Sequence, residues 1–343
     1  MRPGVVAAQV VPLVDRVFAR LTVPHRQIGA SVFRLVLGTT IALLYLQNLG
    51  WRRFLWGPHG LIPFTHAAQI VAAYGPNLYL ASPSAWFFEA VFWTGLVASI
   101  AFACGRWIPV STLLCAVLTW CLIYRDGFLG DAGWNLATIL LVYALVLDCG
   151  RYLVAGKSGA ALVPSARPNF HSRAAALLHN FGITLAIWQV SLLYGTSCFY
   201  KITGHKWQDG TALYYILRSN QFNLSPLGPH IYHSAALVCI ATYATLLLQA
   251  AFPFCIWQRP AKYVVALGAI GFHVGIAVTM GLPFFSLVMI SCEALVFSDA
   301  EYRLAVGALR AVGQRCDAVR GRLSFAGARA AAAAALPSVQ DGR

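Results

Sequence analysis

Between Phe199 and Leu217 the chain reads FYKITGHKWQDGTALYYIL, two lysines, a histidine and an aspartate among dense aromatics. Apolar runs that open at Leu177 and Ser234 enclose it, so it is either a wet loop between two membrane spans or a reactive site. Lys201 decides between them. A lysine at the end of an apolar run can snorkel to the membrane surface at little cost, which is the plain reading. Held in a water-poor pocket, it loses solvation of its charged form, and the neutral amine can act as a base near pH 7. Lys206 close by pushes the same way, and Asp209 opposes it. Tyr200, His205 and Trp207 are near enough in sequence to line such a pocket. Asp209-Gly210 reads equally well as a turn before the next helix.

His273 is the second candidate, the only ionisable residue in GAIGFHVGIAVTMGLPFFSLVMIS. An ionisable group inside a membrane span is a functional hypothesis by default, because leaving it unpaired in lipid is costly. The alternative is a neutral histidine bonded to a nearby carbonyl. Glu89 and Glu293 also lie in apolar runs and need buried partners; either could orient His273 or pair with Arg34, and the sequence does not assign which. No phosphate-cradling glycine pattern, H-E-x-x-H or G-x-S-x-G is present. His59, His66, His230 and His233 are too scattered for a metal site, so none is expected. The nine cysteines contain no C-x-x-C and mostly sit in apolar runs, where they read as small hydrophobes.

The elements that position these residues follow from composition. The 343 residues are 59% hydrophobic and 10% charged, against roughly 25% charged in soluble domains, so an integral membrane protein is expected. The net charge of +14 reads as cytoplasmic lysine and arginine rather than a nucleic-acid surface. Apolar stretches of spanning length fall at about 28–49, 84–104, 107–124, 133–149, 177–200, 234–257, 261–281 and 283–298. The last is short enough to be a tilted span or a re-entrant hairpin. With eight spans and the N-terminus inside, 19 of the 25 basic residues fall on the inner side and six on the outer. That bias puts both termini in the cytoplasm and the 199–217 stretch outside. Residues 50–83 and 201–233 then form ordered, aromatic-rich outer loops, and 157–173 a flexible inner one. Residues 1–27 form a basic N-terminal arm that reads as a mature N-terminus, since Asp15, Arg16 and Arg20 interrupt its apolar run. The 299–343 tail opens as an amphipathic helix with Arg303, Arg310 and Arg315. It should be drawn to anionic lipid, and it ends in a low-complexity stretch expected to be disordered.

YKITGHKWQDGTALYYIL resembles the lysine–tryptophan–glycine segment of vitamin K-dependent gamma-carboxylase and its bacterial relatives, the horizontally transferred transmembrane domain (HTTM) family. FHVGIAVTMGLPFFSLVMIS is similar to a later segment of that family, a histidine followed by a stretch reaching Phe285-Ser286. FLWGPHGLIPF resembles its first outer loop, with a Gly-Pro-x-Gly turn. The three occur in family order over about residues 25–300. The resemblance implies an eight-helix bundle with an outward-facing active site. In the carboxylase, a lysine is the proposed base that deprotonates reduced vitamin K, whose reaction with oxygen drives carboxylation of a glutamate gamma carbon. Lys201 matches that lysine, with one extra residue before Trp207 and with Cys198 where a glycine is common. His273 matches the family histidine. The carboxylase's large lumenal region has no counterpart here, so the likeness implies a shared fold and quinone pocket rather than peptide carboxylation.

The expected protein is therefore an all-α, multi-pass cell-membrane protein whose 28–298 region is HTTM-like. Lys201 and His273 are the expected catalytic residues, and Tyr200, His205, Trp207 and Phe285 would bind a reduced menaquinone or vitamin K-type quinol. The rival is a non-catalytic helper for a secreted peptide. Transport is disfavoured, because the polar residues gather on one side.

Overall fold

The computed structural model describes residue 19 and residues 21–72, 75–126, 130–156, 169–222 and 225–314. Most of the N-terminal arm, most of the 157–173 loop and the tail from residue 315 lie outside these. By internal contacts the chain divides into two units, Met1–Phe297 and Ser298–Arg343.

The first unit contains no strand among its described residues. Its helices in chain order are α1 (Gln27–Gln47), α2 (Arg52–Trp56), α3 (Phe64–Val71), α4 (Ala85–Ala103), α5 (Ile108–Ile123), α6 (Ala132–Ala144), α7 (Phe170–Ile202), α8 (His205–Gln208), α9 (Ala212–Arg218), α10 (Gly228–Tyr232), α11 (Ala235–Cys255), α12 (Ala261–Met280) and α13 (Pro283–Glu293). Five of them, α1, α4, α7, α11 and α12, are long and apolar enough to cross a membrane by length and composition. This marks a multi-pass helical membrane protein. Leu247, Val264 and Val97 on three of these helices turn outward, each more than 60% exposed, as lipid-facing side chains would.

Every stretch read from the sequence as a span contains a helix, but three are shorter than expected. Helices α5, α6 and α13 have 16, 13 and 11 residues. At 1.5 Å per residue these reach about 16–24 Å, short of a hydrocarbon core of about 30 Å. Local chemistry sets their ends: α5 starts only after left-handed Gly105 and Trp107, and α13 starts at Pro283 and tightens at residue 294 into a 3-10 turn. Helix α7 departs the other way. It has 33 residues, about 50 Å, and starts seven residues before the expected span because the Asn169 side chain caps it, accepting from Ser172 N–H at 2.8 Å.

Helix α1 is central, packing on α4 and α13. Its contact with α4 is too close for side chains at Gly38 and Gly95: an added Cβ would lie 2.8 Å from Ala103 Cα and 2.4 Å from the Tyr45 hydroxyl oxygen. Arg34 is wholly buried beneath this pair and answers to neither glutamate, a departure from the sequence reading. Its Nη1 donates to the carbonyls of Phe102 and Ala103 at 3.0 and 2.7 Å, and its Nη2 to those of Tyr152 and Leu153 at 3.2 and 2.6 Å. It thus fills the acceptors that the end of α4 leaves open.

The starts of α1 and α7 are tied together. Asp148 N–H donates to Nδ1 of His179, so Nε2 carries the ring proton and donates to the His25 carbonyl at 2.7 Å. Asn180 Nδ2 donates to the carbonyls of Leu21 and Val23 at 2.8 Å. Both helices run the same way from there, so the loops that follow them, 48–84 and 203–234, share one end of the bundle. At that end Glu89 accepts from Arg52 Nε and Nη2 at 2.9 and 3.1 Å, from Arg53 Nε, and from Trp93 Nε1 at 3.1 Å. Arg125, also buried, donates from Nη2 to the carbonyls of Gly57 and Ile62 at 3.3 and 3.0 Å, which folds the GPHGLI turn down onto α5. Arg34, Arg125 and Lys262 are all buried, so they serve the fold and drop out of any charge-based argument about topology. Without them the expected inner and outer counts of basic residues become 17 and five.

Candidate functional site

Helix α7 carries the chemistry along its buried stripe. Val190, Tyr194 and Cys198 are buried, and Lys201 is half-buried at the end of the same stripe. Tyr194 and Lys201 are seven residues apart, so they share a face and stand about 10 Å apart along the axis.

Tyr194, which the sequence did not single out, is the centre of a buried cluster. Its hydroxyl is 2.8 Å from Nε2 of His273 on α12 and donates to Oε1 of Glu293, at the end of α13, at 3.1 Å. With the phenol proton directed to Glu293, Nε2–H of His273 is the donor to the phenol oxygen. Phe252 tilts against Tyr194 at 4.4 Å between centroids, and Phe285 meets the His273 ring edge-on at 5.5 Å. Tyr194 and His273 are each 1% exposed, and Glu293 is fully buried. Three atoms here, His273 Nδ1, Glu293 Oε2 and Ser286 Oγ, have no hydrogen-bond partner among the described residues. Phenol, imidazole and carboxyl joined in a dry bundle can hold a proton and pass it along the chain of bonds. The sequence reading offered His273 as a partner for Glu293; Tyr194 stands between them and joins them. The available signal was its position one heptad before Lys201.

Tyr194→Phe should lower stability by about 1–3 kcal/mol, since it strips the shared partner from two buried polar groups. Tyr200→Phe should be neutral, because Tyr200 is 76% exposed. Thermal aggregation followed by size-exclusion chromatography in detergent would read both.

Lys201 forms a separate centre at the end of α7. Its Nζ donates to the Ser197 hydroxyl one turn back and lies 5.4 Å from the centre of the Trp207 ring. Trp207 is brought there by the short turn of α8. Gln208 Nε2 pins that turn to the Ile202 carbonyl at 2.9 Å, and the Tyr243 hydroxyl of α11 donates to the Gln208 carbonyl at 2.6 Å. Gly210 has φ +70°, and a Cβ there would lie 2.9 Å from the Tyr243 ring. The expected neighbours of Lys201 are otherwise dispersed. Lys206 stands 3.6 Å above the Tyr215 ring, and His205 and Asp209 are exposed.

Beside this centre a groove of about 1040 Å³ runs between α7 and α11. Ser191, Gly195 and Cys198 keep its α7 wall low, and Pro253 faces Gly195 from α11. Pro253 has no N–H to donate, which loosens α11 at this level. Trp188 and Trp257, 6.3 Å apart, close one end, and Tyr200 stands at the other. The structure thus places Lys201 with Trp207, Tyr200 on the groove, and His273 with Phe285 about two helical turns deeper. These are two centres on one helix face rather than one pocket. Among the described residues no three of His, Cys, Asp and Glu are grouped to hold a metal ion.

A protein of Bacillus subtilis (strain 168), described as uncharacterized protein YitO, is 28% identical over 206 residues, 54% of this chain and 63% of its own length. The match thus spans less than two thirds of that relative. No family model matches the chain. No solved structure matches it.

Proposed function

We propose that the protein is an HTTM-type membrane enzyme, related to the membrane part of vitamin K-dependent gamma-carboxylase, that uses Lys201 as a base on a quinol-type, lipid-soluble molecule. In this reading all eight apolar segments are membrane-embedded, both termini are cytoplasmic, and the loop-bearing end faces outward. The observation that carries it is the position of Lys201: it ends the buried stripe of α7, beneath Trp207 and between two residues, Tyr200 and Ile202, that line the α7–α11 groove. An elongated apolar groove rimmed by aromatics suits an isoprenoid tail, and Trp207 and Tyr200 suit a planar head. A bound quinol would supply the reducing equivalents for oxygen chemistry. Ser197 holds the amine in place, and the Tyr194–His273–Glu293 cluster offers a proton store deeper on the same face.

The test is a menaquinol titration of purified protein in nanodiscs. Saturable binding that weakens at least tenfold in Lys201→Ala is expected. Absence of binding to the wild type would sink the quinol reading.

The helper reading has its own observation. At the loop-bearing end Arg218 lies 4.9 and 5.8 Å from the rings of Tyr214 and Tyr232, and Lys206 caps Tyr215. This cationic, aromatic surface would suit an acidic or aromatic peptide. Peptide crosslinks to 203–234 that are indifferent to Lys201 would favour it.

A further inference from the structure

The second unit opens with a helix, α14 (Asp299–Gln314), whose start is fixed by a reciprocal cap. Glu301 accepts from Ser298 N–H at 2.7 Å, and Glu301 N–H donates to the Ser298 hydroxyl at 3.4 Å. From Arg303 to Gln314 every residue is exposed, with Leu304 at 73% and Leu309 at 72%. Twelve consecutive exposed residues make a marginal helix in water. At 100° per residue, Leu304, Ala305, Ala308, Leu309 and Val312 fall within an arc of about 140°, and Arg303 and Arg310 lie together opposite its centre. Apolar residues on one side and cations on the other are the pattern of a helix lying in a membrane surface.

We infer that α14 is an interfacial anchor, its Leu304–Leu309–Val312 face sunk into the acyl boundary of an anionic leaflet and Arg303 and Arg310 on its phosphates. Charge complementarity selects this occupant: residues 303–343 carry seven arginines against two aspartates, which favours an anionic surface. The covalent path agrees, since Ser298 directly follows a chain that enters and leaves the bilayer. A protein partner would have to match the same cationic side, and nothing on the helix selects one.

Hydrogen–deuterium exchange of the full chain tests this, with nanodiscs of phosphatidylcholine alone compared with discs containing 30% phosphatidylglycerol. Amides of 303–314 should exchange about 25-fold more slowly on the anionic discs, on the order of fivefold for each arginine near such a surface. Arg303→Glu/Arg310→Glu should erase that difference, and Leu304→Ser/Leu309→Ser should remove protection on both discs. Equal exchange on both discs in the wild type would overturn the proposal. So would protection that persists in both variants, which would show the helix covered by protein instead.

Discussion

Arg34→Ala is expected to leave almost no folded protein. The substitution removes four hydrogen bonds at once; the carbonyls of Ala103, Tyr152 and Leu153 then face a cavity, while that of Phe102 keeps only Gly105 N–H at 3.0 Å. Each buried acceptor left unpaired costs about 1–3 kcal/mol, so the sum rivals the whole stability of a typical domain, about 5–15 kcal/mol. Arg34→Lys should rescue only in part, because an ammonium cannot span two pairs of carbonyls as the guanidinium fork does. Arg106→Ala, at an exposed position one turn beyond α4, should be silent. Fluorescence-detected size-exclusion chromatography of the three variants reads the result, and a monodisperse wild-type-like peak for Arg34→Ala would show the carbonyls satisfied some other way.

The second large effect is functional. Lys201→Arg should keep the fold, the surface charge and the contact with Trp207, yet lose activity by at least about a hundredfold, the scale of a missing general base. Arginine stays protonated at any workable pH, so it preserves every role of an anchoring cation and cannot supply a free amine. Turnover of a reduced quinone in nanodiscs, with binding measured in parallel, separates the two roles. Retained binding with lost turnover is the expected result; unchanged turnover would reduce Lys201 to an interfacial anchor. Ser197→Ala, which frees the amine without removing it, should produce a smaller loss.

Much of this was legible in the sequence, and the reason is solvent. A chain with 10% charged residues has few ways to satisfy its backbone except as apolar helices, so the all-α membrane class and the approximate position of each helix followed from composition and run length. The Lys201–Trp207 proximity was also readable, because six residues across one turn leave little choice. What run length could not show is where a helix stops. Left-handed Gly105 and Trp107 delayed the start of α5, a 3-10 turn at 294 ended α13 early, and a side-chain cap at Asn169 lengthened α7. Charge counting ran into the same limit: Arg34, Arg125 and Lys262 looked like loop charges until burial showed them satisfying carbonyls or packing inside the protein. The site divided for a related reason. Sequence order placed Lys201 and His273 in one expected pocket, but a histidine's depth is set by which helix faces it, and α12 meets α7 at Tyr194, two turns below the lysine. Glu89 found Arg52 and Arg53 and Glu293 found Tyr194, pairings separated by 36 to 99 residues. The sequence determined which groups must be paired, because lipid forbids leaving them bare; only the tertiary structure decided with whom, because helix packing alone sets which faces meet.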